Sequence, residues 1–273
     1  MREESFTERL NVLTNRYNNQ QKLLEDLIRQ LNGLAGEVRT LRECLRVQME
    51  ERFRLLYKEL YDLKVTDCYS RFFCNDGLLY FFACICGYMK RYAADGENPD
   101  RKVMSRMVGR YVTPIQNRIV LLRSLLKRHA DSEEEITKSE MNLYEITTSD
   151  DMPMLQQRLQ NLCEQVDERR ADANRIFYDR LWTLVEPCVA QIEGGCFDGW
   201  EAGGDVRAVG SFVDRMKDAL EQGGLAIDFA PEGDVPADDG RFTKAANVEF
   251  ATPAVWRKSD GHVFVKGVVP VKE

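Results

Sequence analysis

Apolar residues near the N-terminus recur at alternating steps of four and three: Phe6, Leu10, Leu13, Tyr17, Gln20, Leu24, Leu27, Leu31, Leu34, Val38, Leu41 and Leu45. Gln20 is the single polar member. A mean spacing of about 3.5 residues predicts a helix whose narrow apolar stripe is buried against a partner helix in a left-handed coiled coil. After Leu45 the pattern takes an extra step of four through Met49 and Phe53, then resumes at Leu56, Leu60 and Leu63. That insertion is a stutter, which unwinds a seam locally without ending it. The spacing therefore predicts a dimerising rod over residues 1–64, a parallel homodimer whose seam rests on Leu24, Leu27, Leu31, Leu34, Val38, Leu41 and Leu45. Gly33 and Gly36 fall inside it, and the seam is expected to outweigh their cost of about 0.5–1 kcal/mol each.

Downstream the period is helical until residue 224. A helical segment of unassigned role, 65–151, holds the apolar run Leu78–Met89, the turn Gly96-Glu97-Asn98-Pro99 and two helices. Thr113 and Pro114 are expected to separate those helices, with Thr113 as cap, Pro114 in the first turn and Ile115, Ile119, Leu122 and Leu126 on one buried face. A helical bundle segment, 152–224, starts at caps drawn from Ser149, Asp150 or Asp151, with Pro153 just inside. Its stripe runs from Leu155 to Ile192, where Pro187 is expected to kink or divide it. Glycines 194, 195, 199, 203 and 204 mark a loop before a short helix through Phe212, Met216 and Leu220. From Leu225 the period shortens towards two, and Asp260-Gly261 signals a turn between the last two strands. The fold class expected is α+β: a long coiled-coil helix, a central helical bundle and a small β-domain over 225–273.

Composition narrows the chemistry. The chain has 273 residues and a formal net charge of −7, which opposes general affinity for nucleic acid. Between Arg101 and Ala130 lie eight basic residues and no acid, but residues 131–151 supply eight acids, so a self-compensating surface is expected there. The run Leu78–Met89 is too short to cross a bilayer, and Arg2, Glu3 and Glu4 leave no room for a signal sequence, so a cytoplasmic protein with no membrane partner is expected. Eight cysteines sit in helical patterns, spaced unlike zinc knuckles, and are read as reduced thiols with no metal. Only His129 and His262 are histidines, and no phosphate loop or nucleophile elbow occurs, so neither a cofactor nor an enzyme is expected.

Four pieces then carry a resemblance: RRADANRIFYDRLWTLVEPCVAQIE, VGSFVDRMKDALEQGGLAID, DDGRFTKA and TPAVWRKSDGHVFVKGVVPV. With the order of elements, they resemble the GrpE family of nucleotide exchange factors over roughly the last hundred residues. Lys244 precedes Ala245 where that family has a histidine-containing motif. The resemblance implies a dimeric co-chaperone whose β-domain opens the nucleotide lobe of a DnaK-type ATPase and releases ADP. The alternative is a coiled-coil scaffold or adaptor whose β-domain docks another protein. Either way recognition is expected on the basic end of the chain, at Arg241, Phe242, Lys244, Trp256, Arg257 and Lys258. Residues 241–273 hold six basic residues against three acids, while 193–239 hold twelve acids against three basic residues.

Overall fold

The computed structural model describes residues 2–74, 76–95, 101–131, 151–170, 174–200, 205–230, 239–246 and 248–271. Its elements, in order, are α1 (Arg2–Phe73), α2 (Leu78–Asp95), α3 (Arg101–Asp131), α4 (Met152–Arg170), α5 (Arg175–Glu193) and α6 (Val206–Gln222). Strands follow: β1 (Leu225–Asp228), β2 (Phe242–Ala245), β3 (Ala254–Arg257), β4 (Val263–Val265) and β5 (Gly267–Pro270). The chain is α+β, mostly helical, with its strands confined to the C-terminal end. It divides into two compact units, one of Met1–Leu56 with Met141–Cys163, the other of Tyr57–Glu140 with Glu164–Glu273.

In the first unit, α1 runs without proline, and ion pairs one turn apart support its surface: Asp26–Arg29 at 3.5 Å, Glu43–Arg46 at 2.8 Å and Glu50–Arg54 at 3.3 Å. A side chain added at Gly33 or Gly36 meets nothing within 4 Å, so no close approach within the chain requires either glycine. Burial on this helix begins only at Met49 and Phe53, and Leu155, Leu159 and Leu162 of α4 are buried in the same unit. Asp151 caps α4, its carboxylate accepting from the Met154 amide at 3.1 Å.

The second unit is built on one hydrophobic core. Tyr69, Phe72 and Phe73 at the end of α1 meet Tyr178 and Trp182 of α5: Phe73 stacks on Tyr178 at 5.8 Å, and Phe72 stands edge-on to Trp182 at 5.4 Å. The apolar run in α2 is the centre of this core, with Leu78, Leu79, Phe81, Phe82 and Ile85 fully buried. An 18-residue window within Phe6–Ala94 reaches a mean hydropathy of 1.3, enough by length and composition to span a membrane. That window is 71% buried inside the fold, as a core helix is. Gly87 lets α2 approach the strand region, because a side-chain carbon there would lie 2.4 Å from the Ala251 carbonyl oxygen.

The expected break at Pro114 is corrected, and of the two outcomes expected at Pro187, a kink or a division, the division does not occur. Pro114 does not separate two helices: α3 continues from Arg101 to Asp131 with Pro114 inside it. Tyr111, Val112, Ile115, Ile119 and Leu122 are buried along one face while Thr113 and Pro114 are exposed. Burying five such side chains outweighs the roughly 3 kcal/mol of a mid-helix proline. Pro187 likewise does not divide α5. The division falls at Asn174, whose side chain accepts from the Phe177 amide at 3.4 Å and starts α5. The turn at Gly96–Pro99, the acidic stretch 132–150 and Gly203-Gly204 lie outside the described residues.

Helix α6 starts on Asp205, which caps the Arg207 amide at 2.9 Å, and ends at Gly223-Gly224 directly before β1. Strands β1, β3 and β4 form an antiparallel sheet in that order, while β2 and β5 pair in parallel. Thr252 and Val268 exchange backbone hydrogen bonds of 3.0 and 3.1 Å, tying β5 to the segment before β3. The turn between β3 and β4 contains Gly261 at φ 74°, a left-handed conformation in which glycine is favoured. Leu225, Val255 and Val265 belong to the same core as the helices, so the strands are a cover on the helical layer.

Candidate interaction surfaces

Two regions hold the residues singled out by the sequence. The first is the α1 stripe. Leu24, Leu27, Leu31, Leu34, Val38, Leu41 and Leu45 are 48–64% exposed in the single chain, and Leu23 and Ile28 beside them are 63% and 50% exposed. Those two flanking residues widen the apolar band; their place next to Leu24 and Leu27 was visible in the sequence, but the four-three pattern passes over them. The stripe beyond the stutter differs: Phe53 and Leu63 are buried by their own chain. The part of α1 left open to a second helix therefore ends near Val47. A contiguous apolar face of this length is the kind of surface that folded chains cover by association.

The second region is the strand layer, where the six expected recognition residues separate. Neighbours on a strand face opposite sides, which sends Trp256 and Arg257 apart. On one side, the Trp256 indole donates to the Asp228 carboxylate at 2.7 Å, and the Arg241 guanidinium lies 5.3 Å from the Trp256 ring and 5.8 Å from Phe242. Arg241 is itself held by Asp239 through two hydrogen bonds of 2.9 Å, with Asp228 at 3.7 Å. This fork holds the Asp239 carboxyl below the usual carboxylate range and the Arg241 guanidinium above its own. Phe242 is buried. Asp228 and Asp239 were not expected to take part; the short Asp239-Gly240-Arg241 spacing was the signal available in the sequence.

On the other side, Arg257 forks onto Asp260 with hydrogen bonds of 2.9 and 3.0 Å, and its guanidinium covers the rings of Phe177 at 4.9 Å and Phe264 at 5.8 Å. Phe177 and Phe264 stack at 5.6 Å. Arg257 thus clamps the β3–β4 turn onto α5. Lys244 and Lys258 are exposed. Of the six residues, Arg241, Phe242 and Trp256 come together, Arg257 faces α5, and the two lysines remain at the surface.

The turn clamp has a pH signature. The Arg257 fork and the His262 amide, which donates at 3.1 Å, lower the Asp260 carboxyl to about 2. A carboxylate depressed in the folded state adds stability above its unfolded value near about pH 4, and that contribution is lost as pH falls through the folded value. Asp260→Asn should therefore flatten the acid limb of the turn's stability, read by amide exchange of residues 258–262. Superimposable acid profiles for the two chains would remove the clamp from the account.

The remaining polar chemistry serves the fold. Burial pushes the Cys86 and Cys196 thiols up to about 12 and the Cys84 and Cys188 thiols up to about 11, which makes them poor nucleophiles at neutral pH. Among the described residues no three His, Cys, Asp or Glu side chains converge in a metal-binding group. His262 lies edge-on to Phe264 at 4.8 Å. On α3, Arg106 reaches Glu249 at 3.4 Å, Arg123 reaches Glu193 at 2.9 Å, and Arg118 donates to the Arg71 carbonyl at 2.7 Å. These basic residues are engaged across the second unit, and the acidic segment expected to compensate them lies outside the described residues. Comparison of the chain with protein-family models, curated proteins and solved structures finds no significant match.

Proposed function

We propose that this chain is a non-enzymatic, self-associating scaffold: two copies pair through α1, and each carries its helical and strand unit as the working end. The observation that supports this most is the exposed stripe from Phe6 to Leu45, whose period fits another helix of the same kind. A lone helix leaves these leucines in water, whereas a paired one removes them at about 1.5–3 kcal/mol per side chain. Eight free thiols suit the cytoplasm, where they stay reduced. Sedimentation velocity over a concentration series tests the proposal. A two-chain mass is expected, and a monomer at every concentration reached defeats it.

A GrpE-type exchange activity is the second reading. Its support is local: α6 runs into Gly223-Gly224 and then β1, and β3–β4 forms the closing hairpin, as that resemblance implies. The partner would be a DnaK-type ATPase whose open state is bound better than its closed one. Release of a fluorescent ADP analogue from such an ATPase of the same genome, with and without this chain, tests it. Because Arg257 is committed to the turn, the informative variant is Lys244→Glu with Lys258→Glu. It should lower the acceleration at least tenfold, the loss of about 1.4 kcal/mol, while leaving the sedimenting mass unchanged. No acceleration by the unaltered chain at saturation ends this reading and leaves the scaffold proposal standing.

A further inference from the structure

We infer that Gln20 sets the direction and register in which two copies of this chain pair, an inference that rests on the self-association proposed above. The exposed stripe of α1 contains two kinds of position. Leu24, Leu31 and Val38 precede steps of three, whereas Gln20, Leu27 and Leu34 precede steps of four. In a parallel, in-register pair each layer joins a residue to its own copy, so Gln20 meets the partner's Gln20. A primary amide offers both donor and acceptor, and two of them satisfy one another across a seam.

Every other arrangement breaks that match. An antiparallel pair with full overlap of 6–45 sets Leu24 against the partner's Leu27, and so sets Gln20 against the partner's Leu31. A parallel pair slipped by one heptad sets Gln20 against Leu13 or Leu27. In each case an amide enters the seam beside leucine, loses water and gains no partner. The first class of position carries Leu, Tyr or Val throughout, so no shift of an antiparallel pair supplies a second amide. Charge does not separate the two directions. Glu37 lies beside the partner's Arg42 in the parallel pair and beside the partner's Arg16 in the antiparallel one, an attraction either way. The polar layer is what decides, as single polar residues do in coiled-coil seams, at some cost in affinity.

The self-complementary layer also names the occupant of the stripe. A different partner helix would need its own amide at the matching height, while a second copy brings one automatically. Gln20 is exposed in the single chain, so it has no core role there for a substitution to disturb.

The test uses the full chain with Cys44, the exposed native thiol, changed to Ser. Leu13→Cys is introduced and disulfide formation is followed in a glutathione buffer. A covalent homodimer is expected, because parallel in-register pairing brings the two positions together. A mixture of Leu13→Cys and Val38→Cys chains, which oppose one another in the antiparallel pair, should stay uncrosslinked between the two variants. Adding Gln20→Leu should tighten the pair on the order of tenfold or more and admit the mixed crosslink. Gln20→Asn, which keeps an amide, should retain the original pattern. Crosslinking of the mixture but not of Leu13→Cys alone overturns the inference. So does a Gln20→Leu chain with unchanged crosslinks. A chain that sediments as a monomer throughout instead defeats the pairing itself.

Discussion

Changing Leu27 and Leu34 together to Asp should convert a two-chain particle into monomers in sedimentation velocity. Both leucines occupy the same class of seam position one heptad apart, and in the single chain they are 48% and 57% exposed. Their replacement therefore removes nothing from the core of either unit. In the pair, four leucines leave the seam and four carboxylates take their place. Each lost leucine forfeits about 1.5–3 kcal/mol of burial, and each carboxylate drawn from water costs several more. A nanomolar pair is held by only about 12 kcal/mol, so the sum exceeds what the seam supplies. Near-ultraviolet dichroism from the Tyr69, Tyr178 and Trp182 cluster should be unchanged, since that cluster belongs to the second unit. A double variant that still sediments as a pair would place the seam elsewhere.

Phe72→Ala should have the largest effect on the stability of the chain itself, a loss of about 3–5 kcal/mol. Phe72 is fully buried, 4.9 Å from the ring of Phe73 and 5.4 Å from that of Trp182. It joins the end of α1 to α5 at a place where neighbouring side chains are themselves large and rigid. The vacated space cannot close without moving several aromatic rings, so the cavity cost adds to the lost transfer energy. Against a total stability of about 5–15 kcal/mol, that loss is about a fifth or more. The denaturant midpoint of the second unit should fall with little change in slope. A shift equivalent to less than about 1 kcal/mol would mean that the site relaxes, and that the aromatic cluster is not the keystone its packing indicates.

The two variants separate the two units. The first acts on a face that the folded chain leaves open, the second on a core that the chain closes by itself. If pairing and stability respond independently, the exposed N-terminal face of α1 can be altered without disturbing the core that the end of the same helix helps to build.

Much of this was legible in the sequence, and the reasons are local. A four-three apolar repeat without proline leaves α1 only helical choices, and Asp151, one of the expected caps, lies where a short polar side chain can satisfy free amides at a helix start. Asn174 does the same for α5 at a place where the apolar stripe was expected to run on. Gly223-Gly224 ends α6, and the shortened period after Leu225 marks strands. The expected break at Pro114 fails, and α5 is not divided at Pro187, for the same kind of reason. Local chemistry makes Pro114 and Pro187 breakers, and only the burial of one face of α3 and α5 against the rest of the core outweighs them. The recognition residues show the limit most clearly. Adjacent in sequence, Trp256 and Arg257 look like one surface, yet strand geometry turns them to opposite sides and Asp228, Asp239 and Asp260 hold the charges from a distance or across a turn. By itself the sequence determined a mostly helical chain, the long first helix with its apolar stripe, the Asp151 cap and the terminal strands, because each follows from the spacing of a few neighbouring side chains. Tertiary structure alone decided where the α1 stripe stops being exposed, that the strands share the helical core and which basic residues are already engaged, because burial and ion pairing depend on segments that meet only after the chain has folded.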